Sequence, residues 1–326
     1  MNDLRHQLEE RQISIYFAAV AVAALLAFVM PGTATLEAWI NPALAFMLFV
    51  TFLQVPLADL GRAFARIRFL GALLVTNFVL VPLLVAVLIQ FLPPDPLIRL
   101  GVLLVLLTPC IDYVVTFSQL GKANARLLLA STPALLIVQV LLLPAYLGVF
   151  LGSDAARLVQ LGPFLQAFVW LIAIPLALAA AVQVWAARST AGERTASGLG
   201  LLCVPATAAV LFIVIASVVP QLASASDAVL QVIPLYIAFA VISPVIGWGV
   251  GRVFRLEASA GRALAFSAGT RNSLVVLPLA LAVPGAVPLL PAIIVTQTLV
   301  ELVSELVYIR VIGKVGSPRP RTSREQ

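Results

Sequence analysis

A chain of 326 residues that is 62% hydrophobic and only 10% charged, with a mean hydropathy of +1.10, is not a soluble globular protein. Its formal charge of +6 comes from basic residues dispersed over short loops, which excludes a nucleic-acid-binding patch. A single histidine outside the apolar runs excludes HExxH-type metal sites and His-based triads, and two cysteines that both lie inside apolar runs give no disulfide framework.

The apolar runs are about 20 residues long and do not alternate in character, so they predict transmembrane helices and not a barrel. Residues 1–12 read as a charged cytoplasmic segment, and the first span follows without an evident cleavage site, so it is expected to be retained. Ten spans are expected, at 13–30, 38–58, 69–92, 97–120, 124–150, 164–187, 199–221, 228–250, 259–283 and 286–312, before a polar, disordered cytoplasmic tail at 314–326. With both termini inside, only Arg99 and Arg157 fall in outward loops and Arg271 lies within the membrane, while every other Lys and Arg is cytoplasmic. That asymmetry is the positive-inside pattern of a cell (inner or plasma) membrane protein.

The outward loop at 152–163 divides the chain into a first five-helix half, 13–151, and a second, 164–313. An odd number of spans per half makes the second half an inverted repeat. The fourth span of each half is interrupted by polar residues: LLTPCIDYVVTFSQLGKAN in the first, FSAGTRNSLVVLPLALAVP in the second. Interrupted helices at corresponding places in two inverted halves point to a transporter's binding site.

In the first interruption Asp112, Thr116 and Gln119 form an i, i+4, i+7 stripe. Cys110 would point away from it on a regular helix, but Pro109 removes a backbone donor and favours an extended Thr108, so a break could bring thiol and carboxylate together. Cys110 otherwise reads as a small buried hydrophobe, and Cys203 mostly so. In the second, Arg271 stands in an otherwise uncharged run with Asn272 and Ser273 beside it, and a charge at that depth needs a partner. Asp112, Glu301 and Glu305 are the acids in comparable segments. The last span carries a stripe of Gln297, Glu301 and Ser304, in which Glu301 is either a structural partner of Arg271 or a proton-binding group, and Glu305 reads as interfacial. Asn77, ahead of Pro82 in the third span, and Asn41 are weaker candidates for inter-helix bonding. No GxSxG, P-loop or GxGxxG is present, and a membrane hydrolase would have to rest on Asp112 with a distant glutamate.

Ten spans in two inverted halves, the NxxxxP of Asn77–Pro82, the broken helix ending in SQLGKAN, and GTRNSLVVLPLALA followed by a helix with Glu301 together resemble the bile acid:sodium symporter superfamily. The resemblance implies an all-α fold with a core domain from spans 3–5 and 8–10, in which broken helices 4 and 9 cross, and a panel domain from spans 1, 2, 6 and 7. Within it the chain is most similar to the Acr-type arsenite efflux permeases, which carry a cysteine matched by Cys110, an Arg-Asn pair matched by Arg271-Asn272, and a glutamate matched by Glu301. The sodium symporters have instead a carboxylate and a glutamine where this chain has Ser267 and Arg271. The resemblance implies arsenite or antimonite as substrate, contacted by Cys110, with export coupled to proton entry and no cofactor. Asp112 departs from that pattern; it neutralises Arg271, carries the proton, or marks another substrate. A sodium- or proton-coupled organic anion symporter is the alternative.

Overall fold

The computed structural model describes residues 2–30, 32–54, 66–111, 113–152, 166, 169–220 and 225–316. The described residues are helical almost throughout, as backbone in hydrocarbon must be. The first helix, α1 (Asn2–Val29), begins within the charged N-terminal segment and runs on unbroken through the first expected span. A 3-10 turn, Thr33–Trp39, leads into α2 (Ile40–Gln54). Next come α3 (Ile67–Val75), a π-turn (Thr76–Leu80) and α4 (Val81–Leu88), which form one continuous span. The π-turn has a cause in the sequence. Pro82 has no N–H to give the Phe78 carbonyl four residues back, and Tyr146 donates its hydroxyl to that oxygen instead.

The first interrupted segment consists of α5 (Pro96–Leu106) and α6 (Val114–Leu120). Asp95 caps α5 by accepting from Leu97 N–H and Ile98 N–H, and Pro109 prevents the helix from continuing far past Leu106. Then α7 (Ala125–Leu151) bends by 49° between Gln139 and Leu141, where the ring of Pro144 presses on the carbonyl four residues earlier. After a π-turn at Val169–Ala173, α8 (Ile174–Ala186) is followed by the short polar α9 (Thr190–Gly200) and by α10 (Cys203–Val218). The long α11 (Ser226–Val253) then leads to α12 (Ala258–Gly269), α13 (Ser273–Leu281) and α14 (Leu289–Val311).

Seven helices among the described residues are long and apolar enough to cross a membrane, eight with the bent α7. Ten spans are not confirmed among the described residues. The expected spans at 97–120 and 259–283 are the two interrupted segments, whose pieces of 11, 7, 12 and 9 residues are each too short to traverse a bilayer. The tail from 317 onward and the expected outward loop at 153–163 lie outside the described residues.

Packing sorts the helices into two groups. One contains α1, α2, α8, α9 and α10; the other contains α3 to α7 and α11 to α14, and they touch where α10 meets α14 and α2 meets α13. Within the second group α11 lies along α12. Its Val232, Tyr236, Phe239 and Ser243 are buried, while Leu230, Ile237, Val241 and Val245 on the other face are exposed apolar surface of the kind lipid covers. Gly247 permits the contact, because a Cβ there would lie 2.6 Å from the Leu264 carbonyl oxygen and 2.9 Å from Ala265 Cα. Gly247→Ala is therefore expected to cost about 1–3 kcal/mol through overpacking against backbone that cannot yield, seen as a lower melting temperature in detergent. An unchanged melting temperature would mean that the two helices are not held this closely.

Candidate functional site

The two interrupted segments meet at their breaks. Pro109 and Arg271 pair as an isolated antiparallel bridge, Cys110 N–H donates to Thr270 O (3.1 Å), and Asn272 N–H donates to Thr108 O (2.8 Å). Backbone that left two helices thus finds its partners in the opposite break, as irregular backbone at membrane depth must. No proline interrupts α12. It ends at Gly269, where a Cβ would sit 2.7 Å from the Tyr308 ring and 3.0 Å from Pro244, followed by an extended Thr270. Asn272 then caps α13 by accepting from Val275 N–H (3.2 Å).

The Arg271 guanidinium turns back onto the end of α12. Nη2 donates to Ser267 O (2.5 Å), Ala268 O (2.9 Å) and Asn77 Oδ1 (2.8 Å), while Nη1 reaches Leu106 O (3.4 Å) at the end of α5. The Phe239 ring centroid lies 5.5 Å from the guanidinium carbon. Asn77 is fixed in turn, its Nδ2 donating to Leu73 O (3.1 Å) and Ser267 Oγ (3.0 Å). A cation therefore occupies a cage of oxygens, two of them C-terminal carbonyls of α12, where the helix dipole favours positive charge.

Glu301 meets the other side of the break. Its Oε2 accepts from Arg271 N–H (2.6 Å) and Gln297 Nε2 (2.6 Å), and its Oε1 accepts from the Tyr113 hydroxyl (2.5 Å), which also lies 3.1 Å from Arg271 O. Among the described residues the carboxylate thus holds the backbone amide of Arg271, and the guanidinium is held by uncharged oxygens. The negative group sits where the chain enters α13 and the positive group where it leaves α12, so each charge faces the helix end that suits it.

The expected site residues are distributed as follows. Arg271, Asn272, Ser273, Gln297, Glu301, Asn77 and Cys110 are all buried around the crossing. Ser273 Oγ accepts from Thr298 Oγ1 (2.8 Å). On α6, Thr116 is half-buried and Gln119 exposed near the helix end, so neither reaches the buried cluster as far as Tyr113 does. Asp112 lies outside the described residues. Asn41 is exposed, and Cys203 packs by Thr51, its sulfur 3.8 Å from Oγ1.

Glu305 corrects the expectation of an interfacial residue. It is fully buried, and its Oε1 accepts from Thr270 Oγ1 (2.5 Å). Tyr113, Thr270 and Phe239 also belong to the cluster and were not singled out by sequence. Their only signal is position: Tyr113 follows the polar CID, Thr270 precedes Arg271, and Phe239 lies mid-span on α11. Among the described residues, Arg271 Nε, Asn272 Nδ2, Gln297 Oε1 and Glu305 Oε2 are buried without a protein hydrogen-bond partner. The crossing therefore offers both donors and acceptors to a small polar molecule. No group of three or more His, Cys, Asp or Glu able to hold a metal ion is present among the described residues.

A family model described as the sodium bile acid symporter family matches residues 41–225, more than half of the chain. The match includes Asn77 and Cys110 and ends before Arg271 and Glu301. No curated protein matches the chain.

Proposed function

The chain belongs to the sodium bile acid symporter family, and from that premise we propose that it is a secondary transporter that works without sodium, exporting arsenite or antimonite in exchange for protons. Family membership and the apolar helices make it a multi-pass membrane transporter and not an enzyme. The observation that carries the finer reading is the position of the Arg271 guanidinium. Carbonyl oxygens at a half-helix C-terminus are what transporters use to hold sodium; here Ser267 O, Ala268 O, Leu106 O and Asn77 Oδ1 hold a permanent cation instead. A second cation in that cage meets direct repulsion.

Coupling then falls to a carboxyl group. Glu301 touches both broken helices, through Tyr113 and through the Arg271 amide, so its protonation is read directly by the crossing. Asp112 is the second candidate. Cys110 supplies the one soft ligand at the crossing, suited to thiophilic As(III), and a single thiolate releases its cargo where three would retain it. The unpartnered Asn272 Nδ2 and Gln297 Oε1 suit the hydroxyls of the neutral oxyacid.

We read each interrupted segment as one crossing, which gives ten crossings in two inverted five-helix halves. Alternating access is then motion of the group containing the crossing against the group formed by α1, α2 and α8 to α10. The basic loops support a common cytoplasmic face: Arg262 donates to Lys122 O and Val315 O (both 2.9 Å), and Asn124 N–H donates to Ser259 O (3.0 Å).

The test is arsenite accumulation in cells lacking their own exporters. Wild type is expected to lower accumulation relative to empty vector, with sodium or choline outside alike, and Cys110→Ala at equal membrane expression is expected to lose the effect. A second reading is uptake of an organic anion, supported by the family itself and by Arg271 Nε, a buried donor without a hydrogen-bond partner among the described residues and of a chemistry that suits a carboxylate. Saturable stimulation of anion uptake by sodium would replace the first reading with the second.

A further inference from the structure

Away from the crossing, two adjoining cavities open at the end of the molecule where the basic loops gather. The larger, about 500 Å³, is lined by Arg66, Arg68 and Arg255, with Phe69 and Leu127 forming an apolar wall and Glu257 as its only acid among the described residues. The Glu257 carboxylate accepts from Ser259 Oγ (3.0 Å). The smaller, about 300 Å³, shares Arg66 and adds Arg126, with no acid among the described residues that line it. The cavities are framed by the start of α3, the first turns of α7 and the turn between α11 and α12. Beside them the surface becomes apolar, with Ile67 77% and Val253 78% exposed.

Arg255 adds an independent observation. It ends α11 in the left-handed region, φ +53°, where Leu256 N–H closes back on Gly251 O (2.9 Å). That closure is the usual place for glycine, because any side chain there is strained. Keeping an arginine at such a position is a reason to look for what its side chain does. Helix-end electrostatics favours a cation there but is satisfied by Arg252 in the same last turn.

We propose that these cavities form a binding site for the phosphate headgroup of an anionic phospholipid, gripped by Arg66 and Arg255 with Arg68 and Arg126 at the rim. Guanidinium groups match phosphate oxygens in forked geometry. Basic pockets between transmembrane helices at the membrane surface are suited to such headgroups. The apolar wall and the exposed Ile67 and Val253 give the acyl chains a continuous path, which a free inorganic anion would not use. The headgroup would tie α3 and α7 to the α11–α12 turn, the turn from which α12 runs to the break that holds Arg271. The proposal does not depend on which substrate the transporter carries.

The test is thermal unfolding of the purified full-length protein in detergent, titrated with phosphatidylglycerol, phosphatidylcholine or inorganic phosphate. Phosphatidylglycerol is expected to raise the melting temperature, and the other two are not. In Arg66→Ala and Arg255→Gly the shift is expected to fall by roughly threefold or more at a lipid concentration near the wild-type dissociation constant, since a ligand that binds only the native state stabilises it by an amount that grows as the logarithm of one plus the ratio of ligand concentration to dissociation constant. Arg255→Gly relieves the backbone strain, so its melting temperature without lipid should be unchanged or higher, which separates a lost site from a lost fold. Lys122→Gly relieves the same strain (φ +55°) outside the two cavities and should keep the full shift. Equal shifts with both lipids, a full shift in the two arginine variants, or a shift reproduced by phosphate alone would each overturn the proposal.

Discussion

Arg271→Met is expected to reduce transport to background and to lower stability by about 3–5 kcal/mol, as removal of a buried charge from its partners typically does. Four oxygens would lose their donor: Ser267 O, Ala268 O, Leu106 O and Asn77 Oδ1. They lie at the ends of two helices and on a third, so the loss is felt by the whole crossing. Arg271→Gln is the sharper variant, because it removes the charge and leaves an oxygen cage of the kind that binds sodium. Its melting temperature is expected to rise in sodium chloride relative to potassium chloride, while wild type shows no difference. If wild type itself is stabilised by sodium, the guanidinium does not stand in for the ion, and the sodium-independent reading fails with it.

Glu301→Gln is expected to keep the fold and lose proton-driven transport. The Gln carbonyl oxygen can accept from Arg271 N–H and Gln297 Nε2, as Oε2 does now, while the amide group faces the Tyr113 hydroxyl. Tyr113 would then accept from the amide and donate to Arg271 O, already 3.1 Å away. With every partner retained in altered form, the stability cost should be about 1 kcal/mol. Uptake into vesicles driven by a pH gradient should fall to the level of empty vesicles while the melting temperature moves only a few degrees, as such a cost implies for a chain of this size. Glu301→Ala, which leaves Arg271 N–H and Gln297 Nε2 without an acceptor, should lose both. Full pH-driven transport by Glu301→Gln would move the coupling role to Asp112 or another acid.

The parts of this site that were legible in sequence are those set by a single residue's chemistry. An arginine in hydrocarbon, a proline after a threonine and a glutamate within an i, i+4 stripe each announce themselves, because the cost of their burial or the loss of an N–H is local. What could not be read is which atoms meet. The cost of a buried charge called for an acidic partner and left Asp112, Glu301 and Glu305 open; Glu301 does meet Arg271, but its carboxylate takes the amide, while the guanidinium goes to carbonyls exposed by the end of α12, which no proline marks. Glu305 was misplaced for a related reason. Its distance along α14 suggested an interface, whereas it is fully buried and accepts from Thr270 at the break after α12, a contact that position along one helix does not show. Asn77 shows the same limit: Pro82 marks the π-turn at Thr76–Leu80 on which it sits, but not the Arg271 side chain that its amide oxygen meets.

The paired hydrogen bonds between the two breaks have a mechanical meaning. Cys110 to Thr270 and Asn272 to Thr108 form a scrap of sheet that fastens four half-helices at their ends. An interrupted helix on its own would be a natural hinge; two of them stitched together at the interruption act as a rivet. On the proposed alternating-access reading, the pivot is expected elsewhere, and the crossing moves as one piece with the group of helices that contains it.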